Sequence, residues 1–212
     1  MRRLFIPLWA VSTFILSGCA GVIPSNPHNS LGQGVGFNFS SPIAQFTPGK
    51  PPLSSEAVLT FPPFFRQQSN QLCGLAVVKM IAGYYHKPLK KESLQSLKEL
   101  AKRMHGISGQ ELKNIFEDSG FWAAVFAGHL MNPQTGLFNE IDRGRPLIVM
   151  LKKRLESHYV LVSGYDPKNK LLILNDPAQG FVALSIKRFK ADWEGSGKFS
   201  LLAIPEEDLA TK

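Results

Sequence analysis

The chain has 212 residues, 44% of them hydrophobic and 19% charged, so it can bury the core of one medium-sized domain and still carry appended segments. Its formal net charge is +8, and its lysines and arginines alternate with acids, as in "KKESLQSLKELAKRM". We interpret these charges as solvated helix faces and expect no nucleic-acid partner.

The N-terminus has the three parts of an export signal. "MRR" is positively charged, "LFIPLWAVSTFIL" is too short to span a bilayer comfortably, and "LSGC" ends at Cys19. This pattern resembles a bacterial lipoprotein signal, which implies removal of residues 1–18 and lipidation of Cys19. Ala20 follows, where an Asp would imply retention in the inner membrane, so we expect an outer-membrane anchor facing the periplasm. An ordinary signal peptide or anchor with a chance cysteine is the alternative.

Lipidation would leave the second cysteine alone. Exported proteins usually pair their cysteines, but a lipidated Cys19 offers Cys73 no partner for an intramolecular disulfide. Loss of Arg2 and Arg3 with the signal would lower the net charge from +8 to +6. Cys73 is then either a small buried hydrophobe or a functional thiol.

The composition changes after the anchor. Residues 19–55 are rich in Pro, Gly, Ser and Asn and lack helical periodicity, which predicts a flexible tether, with an arm packed on the domain as the alternative. We expect the folded domain over 56–205 and a short tail over 206–212.

Three helices open the predicted domain. One begins at Cys73 and runs to about Tyr85, and the next is the amphipathic segment "KKESLQSLKELAKRM". The third follows Ser108, with Glu111 three residues later in the spacing of a capping box.

Strands dominate the second half of the domain. Apolar runs predict strands at "FWAAVFA", "RPLIVMLK", "HYVLVSGYD", "KLLILND", "GFVALS" and "KFSLLAIP", with helices at "LFNEIDRG" and "IKRFKADWEG". The turn "PKN" joins two of these strands in a hairpin. Helices followed by an antiparallel sheet indicate an α+β fold rather than alternating βαβ units.

The hairpin brings a histidine towards a carboxylate. His158 opens its strand, and antiparallel pairing about the turn places it near Asp176, which could hold the ring and its tautomer. Asp166 lies eight residues along the strand, about 26 Å away at the usual rise, and a turn-forming role suffices for it. The other histidines lie in the tether, at helix ends or in a loop: His28, His86, His105 and His129.

A cysteine at the start of a helix can be a nucleophile, because the helix dipole and free amides stabilise its thiolate. An oxyanion would also need donors, and Gln67, Gln68 and Gln71 precede Cys73.

"QQSNQLCGLAVVKMIAGYY" together with "HYVLVSGYDPKNKLLILNDPAQG" resembles the bacteriocin-processing, or double-glycine, cysteine peptidases of the papain-like group. The resemblance implies a papain-like fold with Cys73 as nucleophile, His158 as base and Asp176 as its orienting group. It selects Gln67, six residues before Cys73, for the oxyanion hole. It also implies cleavage after small residues such as Gly-Gly. Many members carry Asp where this chain has Leu72.

Two further expectations concern the substrate and the alternative functions. Familiar members are fused to an ATP-driven exporter, whereas this sequence resembles a free-standing exported member that meets a peptide or protein substrate outside the cytoplasm. A non-cleaving module that binds a secreted polypeptide, and a cell-wall amide hydrolase or transamidase with the same triad, are the alternatives. Neither a metal-binding motif nor a phosphate loop is present, so we predict no cofactor.

Overall fold

The computed structural model describes residues 53–104, 106–153 and 156–209. Each predicted helix and strand of the domain is present. The helices are α1 (Cys73–Tyr84), α2 (Lys91–Met104), α3 (Gly109–Asp118), α4 (Leu137–Asp142), α5 (Ile186–Glu194) and α6 (Glu206–Leu209). The strands are β1 (Val58–Leu59), β2 (Phe121–Ala127), β3 (Leu147–Lys153), β4 (Glu156–Asp166), β5 (Leu171–Asp176), β6 (Gly180–Ser185) and β7 (Phe199–Pro205).

The strands form one antiparallel sheet with the order β2-β7-β3-β4-β5-β6. The short strand β1 pairs with the C-terminal end of β4. This α+β architecture confirms the fold class predicted from the sequence, and it makes β4 a central strand with neighbours on both sides.

Helices cover both faces of the sheet. Because side chains alternate along a strand, Tyr159 and Leu161 of β4 belong to the core shared with α1 and α3. Val160 and Val162 belong to a second core, which includes Ile141 of α4 and the residues of α5. The N-terminal helices therefore pack on the sheet as predicted, and α4 and α5 close the opposite face.

Two helical details follow directly from the sequence. The predicted capping box is present before α3, with Ser108 accepting from the Glu111 N–H and Glu111 accepting from the Ser108 N–H. Helix α1 is buried almost all round, as expected of a core helix. Gly74 lets it approach α3 closely, because a Cβ there would lie 3.2 Å from the Leu112 side chain.

The predicted signal peptide, Cys19 and most of the predicted tether lie outside the described residues. Ser54, at the end of the predicted tether, hydrogen bonds to the domain, and α6 falls in the predicted tail. In the part of the chain that the structure describes, no helix is both long enough and apolar enough to cross a bilayer.

Candidate active site

The β4–β5 hairpin joins His158 directly to Asp176. Leu161 pairs with Asn175, and one further step of the ladder places Asp176 opposite Val160, two residues from His158 and on the same face. His158 Nε2 and Asp176 Oδ1 are 2.7 Å apart. The contact predicted from the hairpin is therefore confirmed.

The turn after β5 fixes the Asp176 carboxylate. Oδ1 accepts from the Ala178 N–H at 2.8 Å and the Gln179 N–H at 3.3 Å, while Oδ2 accepts from Gln179 Nε2 at 2.7 Å. Burial favours the neutral acid, but the hydrogen bonds from His158, Ala178 and Gln179 outweigh it and lower the pKa of Asp176. Asp176 is therefore ionised at neutral pH and can stabilise a protonated imidazole.

Sequence reasoning missed the donors in this turn. "DPAQG" carries the relevant signal, since an Asp that starts a turn commonly accepts from the N–H two residues on. Asp176 therefore starts a loop and also binds His158.

Asp166, the other carboxylate considered as a partner of His158, stabilises a different part of the fold. It is fully buried at the other end of β4, where it accepts from the backbone and side chains of Ser54 and Asn169 at 2.7–3.0 Å. Burial opposes its ionisation, but these four hydrogen bonds prevail and lower its pKa to about 2. Its turn-forming role is confirmed, and it also binds the segment before β1.

Cys73 is the first residue of α1 and is fully buried. The first turn of α1 contains no acid, so the N-terminal end of the dipole is not offset by charge from its own helix. The helix packs against β4, the strand that carries His158. The helix dipole favours a thiolate at this position, whereas complete burial among core residues opposes one.

The redox state of Cys73 bears directly on catalysis. The structure has Cys73 in a disulfide. The expectation that Cys73 has no intramolecular disulfide partner concerns a chain lipidated at Cys19, and it stays a prediction. A disulfide-bonded sulfur cannot attack a carbonyl, so catalysis by this cysteine requires its release.

Gln67 is tied to the loop after Asp176. Its N–H donates to the Pro177 carbonyl at 3.0 Å, and the neighbouring Arg66 Nη1 donates to the Ala178 carbonyl at 2.8 Å. The buried Gln67 Oε1 has no hydrogen-bond partner among the described residues. The segment before Cys73 is thus held beside the His158–Asp176 pair.

The other candidates lie elsewhere or serve other contacts. Gln68 is exposed, and Gln71 Oε1 accepts from Ser69 Oγ at 3.3 Å. His86 is exposed, and exposed His129 contacts Thr135 through its ring, while His28 and His105 lie outside the described residues. Within residues 53–104, 106–153 and 156–209, no three His, Cys, Asp or Glu side chains form a metal-like cluster.

The family model of the Peptidase C39 family matches residues 62–205, a span that includes both the Cys73 segment and the hairpin. The chain belongs to the Peptidase C39 family. It is a cysteine peptidase, as the sequence predicted, and neither the binding-module nor the cell-wall alternative is favoured.

Relatives agree with this assignment. The chain is 31% identical over 131 residues to the lactococcin-G-processing and transport ATP-binding protein LagD of Lactococcus lactis subsp. lactis. The match covers 61% of this chain but spans only 17% of LagD, so it concerns one portion of that larger protein.

Two solved structures share the C39 fold. One is a double glycine motif protease from an AMS/PCAT transporter in complex with its leader peptide. It has a TM-score of 0.54 at 19% identity, with coverage of 69% of this chain and 94% of that one. The other is the peptidase domain of Streptococcus ComA, a bifunctional ABC transporter involved in quorum sensing. Its TM-score is 0.55 at 24% identity, with coverage of 68% and 99%.

Proposed function

We propose that this C39 peptidase is a lipid-anchored endopeptidase of the bacterial envelope that cleaves an exported polypeptide after small residues such as Gly-Gly. The observation that carries the proposal is the 2.7 Å hydrogen bond between His158 Nε2 and Asp176 Oδ1. It fixes the ring of a histidine on β4, and α1, which begins at Cys73, packs against the same strand.

His158 acts through its other nitrogen. In the neutral imidazole, Nε2 carries the proton donated to Asp176, so Nδ1 has the free lone pair. Nδ1 takes the proton of the Cys73 thiol, and the ionised Asp176 stabilises the resulting imidazolium. The helix N-terminus stabilises the thiolate at the same time.

The thiolate then attacks the scissile carbonyl carbon. A C–S bond forms, and the carbonyl electron pair moves onto oxygen, where the Gln67 amide and the Cys73 N–H stabilise it. As the tetrahedral intermediate collapses, the C–N bond breaks, and His158 gives its proton to the leaving amine. A water deprotonated by His158 then hydrolyses the thioester, releasing the new carboxylate and restoring the thiol.

Lipidation and catalysis are linked through Cys19. A lipid on its sulfur removes the one other thiol of the chain and leaves Cys73 reduced and available. The N-terminal sequence supports an outer-membrane anchor facing the periplasm. Replacing Cys19 with Ala should abolish incorporation of labelled palmitate into the protein, and unchanged labelling would contradict the anchor.

Peptide digestion tests the activity. The reduced chain should cleave a quenched peptide with Gly-Gly or Gly-Ala at its centre and leave matched peptides with Leu-Leu or Phe-Phe intact. Cys73→Ala should abolish cleavage while keeping the native circular dichroism spectrum. If the chain released peptides from purified cell wall and left the Gly-Gly peptide intact, the proposed activity would be wrong and amide hydrolysis in the wall would be favoured.

A further inference from the structure

A cluster of exposed cations lies at one end of the sheet, where the turn between β4 and β5 meets the start of α5. Lys168 and Lys170 belong to the turn, and Lys187, Arg188 and Lys190 belong to α5. The Lys170 carbonyl accepts from the first N–H of α5 at 2.9 Å, so the turn and the helix start are in contact. We call these five residues the basic end.

The charges of the basic end are largely unneutralised. Arg188 donates to Asp192 Oδ2 at 2.9 Å, but none of the four lysines is in an ion pair within residues 53–104, 106–153 and 156–209. Residues 167–191 contain the five cations and a single acid, Asp176, which lies at the opposite end of β5. Exposed Glu56 and Asp142 are the acids near the basic end. The cations outnumber them, so this surface attracts anions.

The charges of α5 are arranged against the dipole of the helix. Its cations lie in the first half, its last turn has no cation, and its acids, Asp192 and Glu194, lie in the second half. A helix is stabilised by acids near its N-terminus and cations near its C-terminus. Helix α2 follows that rule, with Glu92 in its first turn and Lys102 and Arg103 in its last. Helix stability therefore does not explain the cations of α5.

Lys170 also occupies an unfavourable backbone position. Its φ is 55°, in the left-handed region that Gly and Asn adopt more readily than Lys. Hairpin loops commonly place a Gly at such a position. Two local rules are thus broken at the same end of the sheet in favour of cations, as expected where a surface serves a function rather than stability.

The chain enters the domain at this same end. Ser54 donates to Asp166 through its N–H and its Oγ, each at 2.7 Å, and Lys168 follows two residues after Asp166. Cys19, the predicted lipid site, precedes Ser54 by roughly 30 residues, and a coil of that length reaches roughly 30 Å. His158 lies at the other end of β4, about 26 Å from Asp166. A membrane that holds the anchor would thus be within reach of the basic end.

We propose that the basic end is a docking surface for the anionic phospholipid headgroups of the membrane that carries the anchor. The proposal rests on the proposed lipid anchor and adds an orientation to it. The tether keeps the domain near the membrane, the cations hold the tether end of the sheet against it, and the catalytic end faces the compartment that contains the substrate. Each basic residue near an anionic surface strengthens binding about fivefold.

Lysine acetylation on vesicles tests the proposal. Native full-length protein is reconstituted from detergent into vesicles, treated briefly with an amine-reactive reagent and mapped by mass spectrometry. With one part phosphatidylglycerol to two parts phosphatidylcholine, Lys168 and Lys187 should react about fivefold more slowly than with phosphatidylcholine alone, and high salt should remove the difference. Exposed Lys91 and Lys102 of α2 are internal controls and should react equally on both. Equal rates at Lys168 and Lys187 on the two vesicles, or equal slowing of all four lysines, would overturn the proposal.

Charge reversal localises the effect. Lys168→Glu with Lys187→Glu should abolish the protection of Lys190 by phosphatidylglycerol. Lys91→Glu with Lys102→Glu makes the same change of net charge on exposed positions of α2 and should leave that protection intact. Protection of Lys190 that survives the first pair of substitutions would assign lipid contact to another surface and overturn the proposal.

Two readouts separate the docking surface from the proposed function. The Lys168→Glu, Lys187→Glu chain should keep the native kcat on the Gly-Gly peptide, because the basic end lies at the opposite end of β4 from the catalytic pair. A native chain that carries no lipid on Cys19 but still shows the phosphatidylglycerol-dependent protection would overturn the anchor and leave the docking surface standing. A lipidated and active chain without that protection would overturn the docking surface alone.

Discussion

In the proposed mechanism, a single hydrogen bond between His158 and Asp176 determines which imidazole nitrogen acts as the base. The bonds that Asp176 accepts from the following turn keep its pKa low despite burial. The carboxylate thus has two effects: it fixes the tautomer and it stabilises the imidazolium.

Substitutions at Asp176 separate these two effects. Asp176→Ala removes both and should lower kcat about 10²–10³-fold, within the range that a positioned general base contributes. Asp176→Asn keeps an acceptor oxygen but loses the charge, so its kcat should fall only about tenfold. Steady-state kinetics on the Gly-Gly peptide checks both values.

The control for this series is Asp166→Asn, which alters the other carboxylate of β4. Because Asp166 is bound to Ser54 and Asn169 at the far end of the strand, kcat should stay near the native value. A loss comparable to that of Asp176→Ala would contradict the assignment of the carboxylates.

At the scale of elements, the segment over residues 54–67 connects distant parts of the domain. Asp166 binds Ser54, the side chain of Asn175 donates to the Pro62 carbonyl at 3.3 Å, and the Gln67 N–H reaches Pro177. The segment is thereby fixed along the hairpin before it enters the turn that precedes Cys73.

The low pKa of Asp166 predicts acid sensitivity of this arrangement. Its folded pKa, about 2, lies below its ordinary value of 3.8, so its stabilisation is complete above pH 3.8 and is lost as the pH falls towards 2. The difference corresponds to about 2 kcal/mol. Urea unfolding of native protein and Asp166→Asn at pH 7 and pH 2.5 should show a gap in unfolding free energy at pH 7 that narrows markedly at pH 2.5. An equal difference in unfolding free energy at pH 7 and pH 2.5 would exclude Asp166 as the origin of the acid sensitivity.

Local patterns predicted most of the elements, but not the long-range contacts. The spacing of Ser108 and Glu111 predicted the start of α3, and the hairpin turn predicted that Asp176 lies beside His158. The register slips between Val162 and Gly164, which alternation alone does not reveal. Gln67 could be chosen among its neighbours only by family resemblance, because its bond to Pro177 joins segments more than 100 residues apart.

The whole molecule has two cysteines whose chemical states exclude one another. An intramolecular disulfide of Cys73 and a lipid on Cys19 cannot coexist in one chain with two cysteines. Under the proposed lipidation, the processed form is the one in which we expect Cys73 to be reduced.

Reductant should reveal this dependence. Full-length chain made without lipidation should cleave the Gly-Gly peptide slowly until dithiothreitol opens the disulfide. The Cys19→Ala chain should be active without reductant, because no second thiol remains. Equal activity of the two chains before reduction would show that Cys73 is not held in such a bond.

The most direct test of Cys73 as the nucleophile is capture of the covalent intermediate. Reduced protein is mixed with a Gly-Gly peptide substrate, quenched in acid within one turnover and analysed by intact mass and peptide mapping. We predict a thioester adduct of the N-terminal product on Cys73, absent from Cys73→Ala and accumulating when water attack is slowed. Cleavage at Gly-Gly that persists in Cys73→Ala, or an adduct mapped to another residue, would contradict the mechanism.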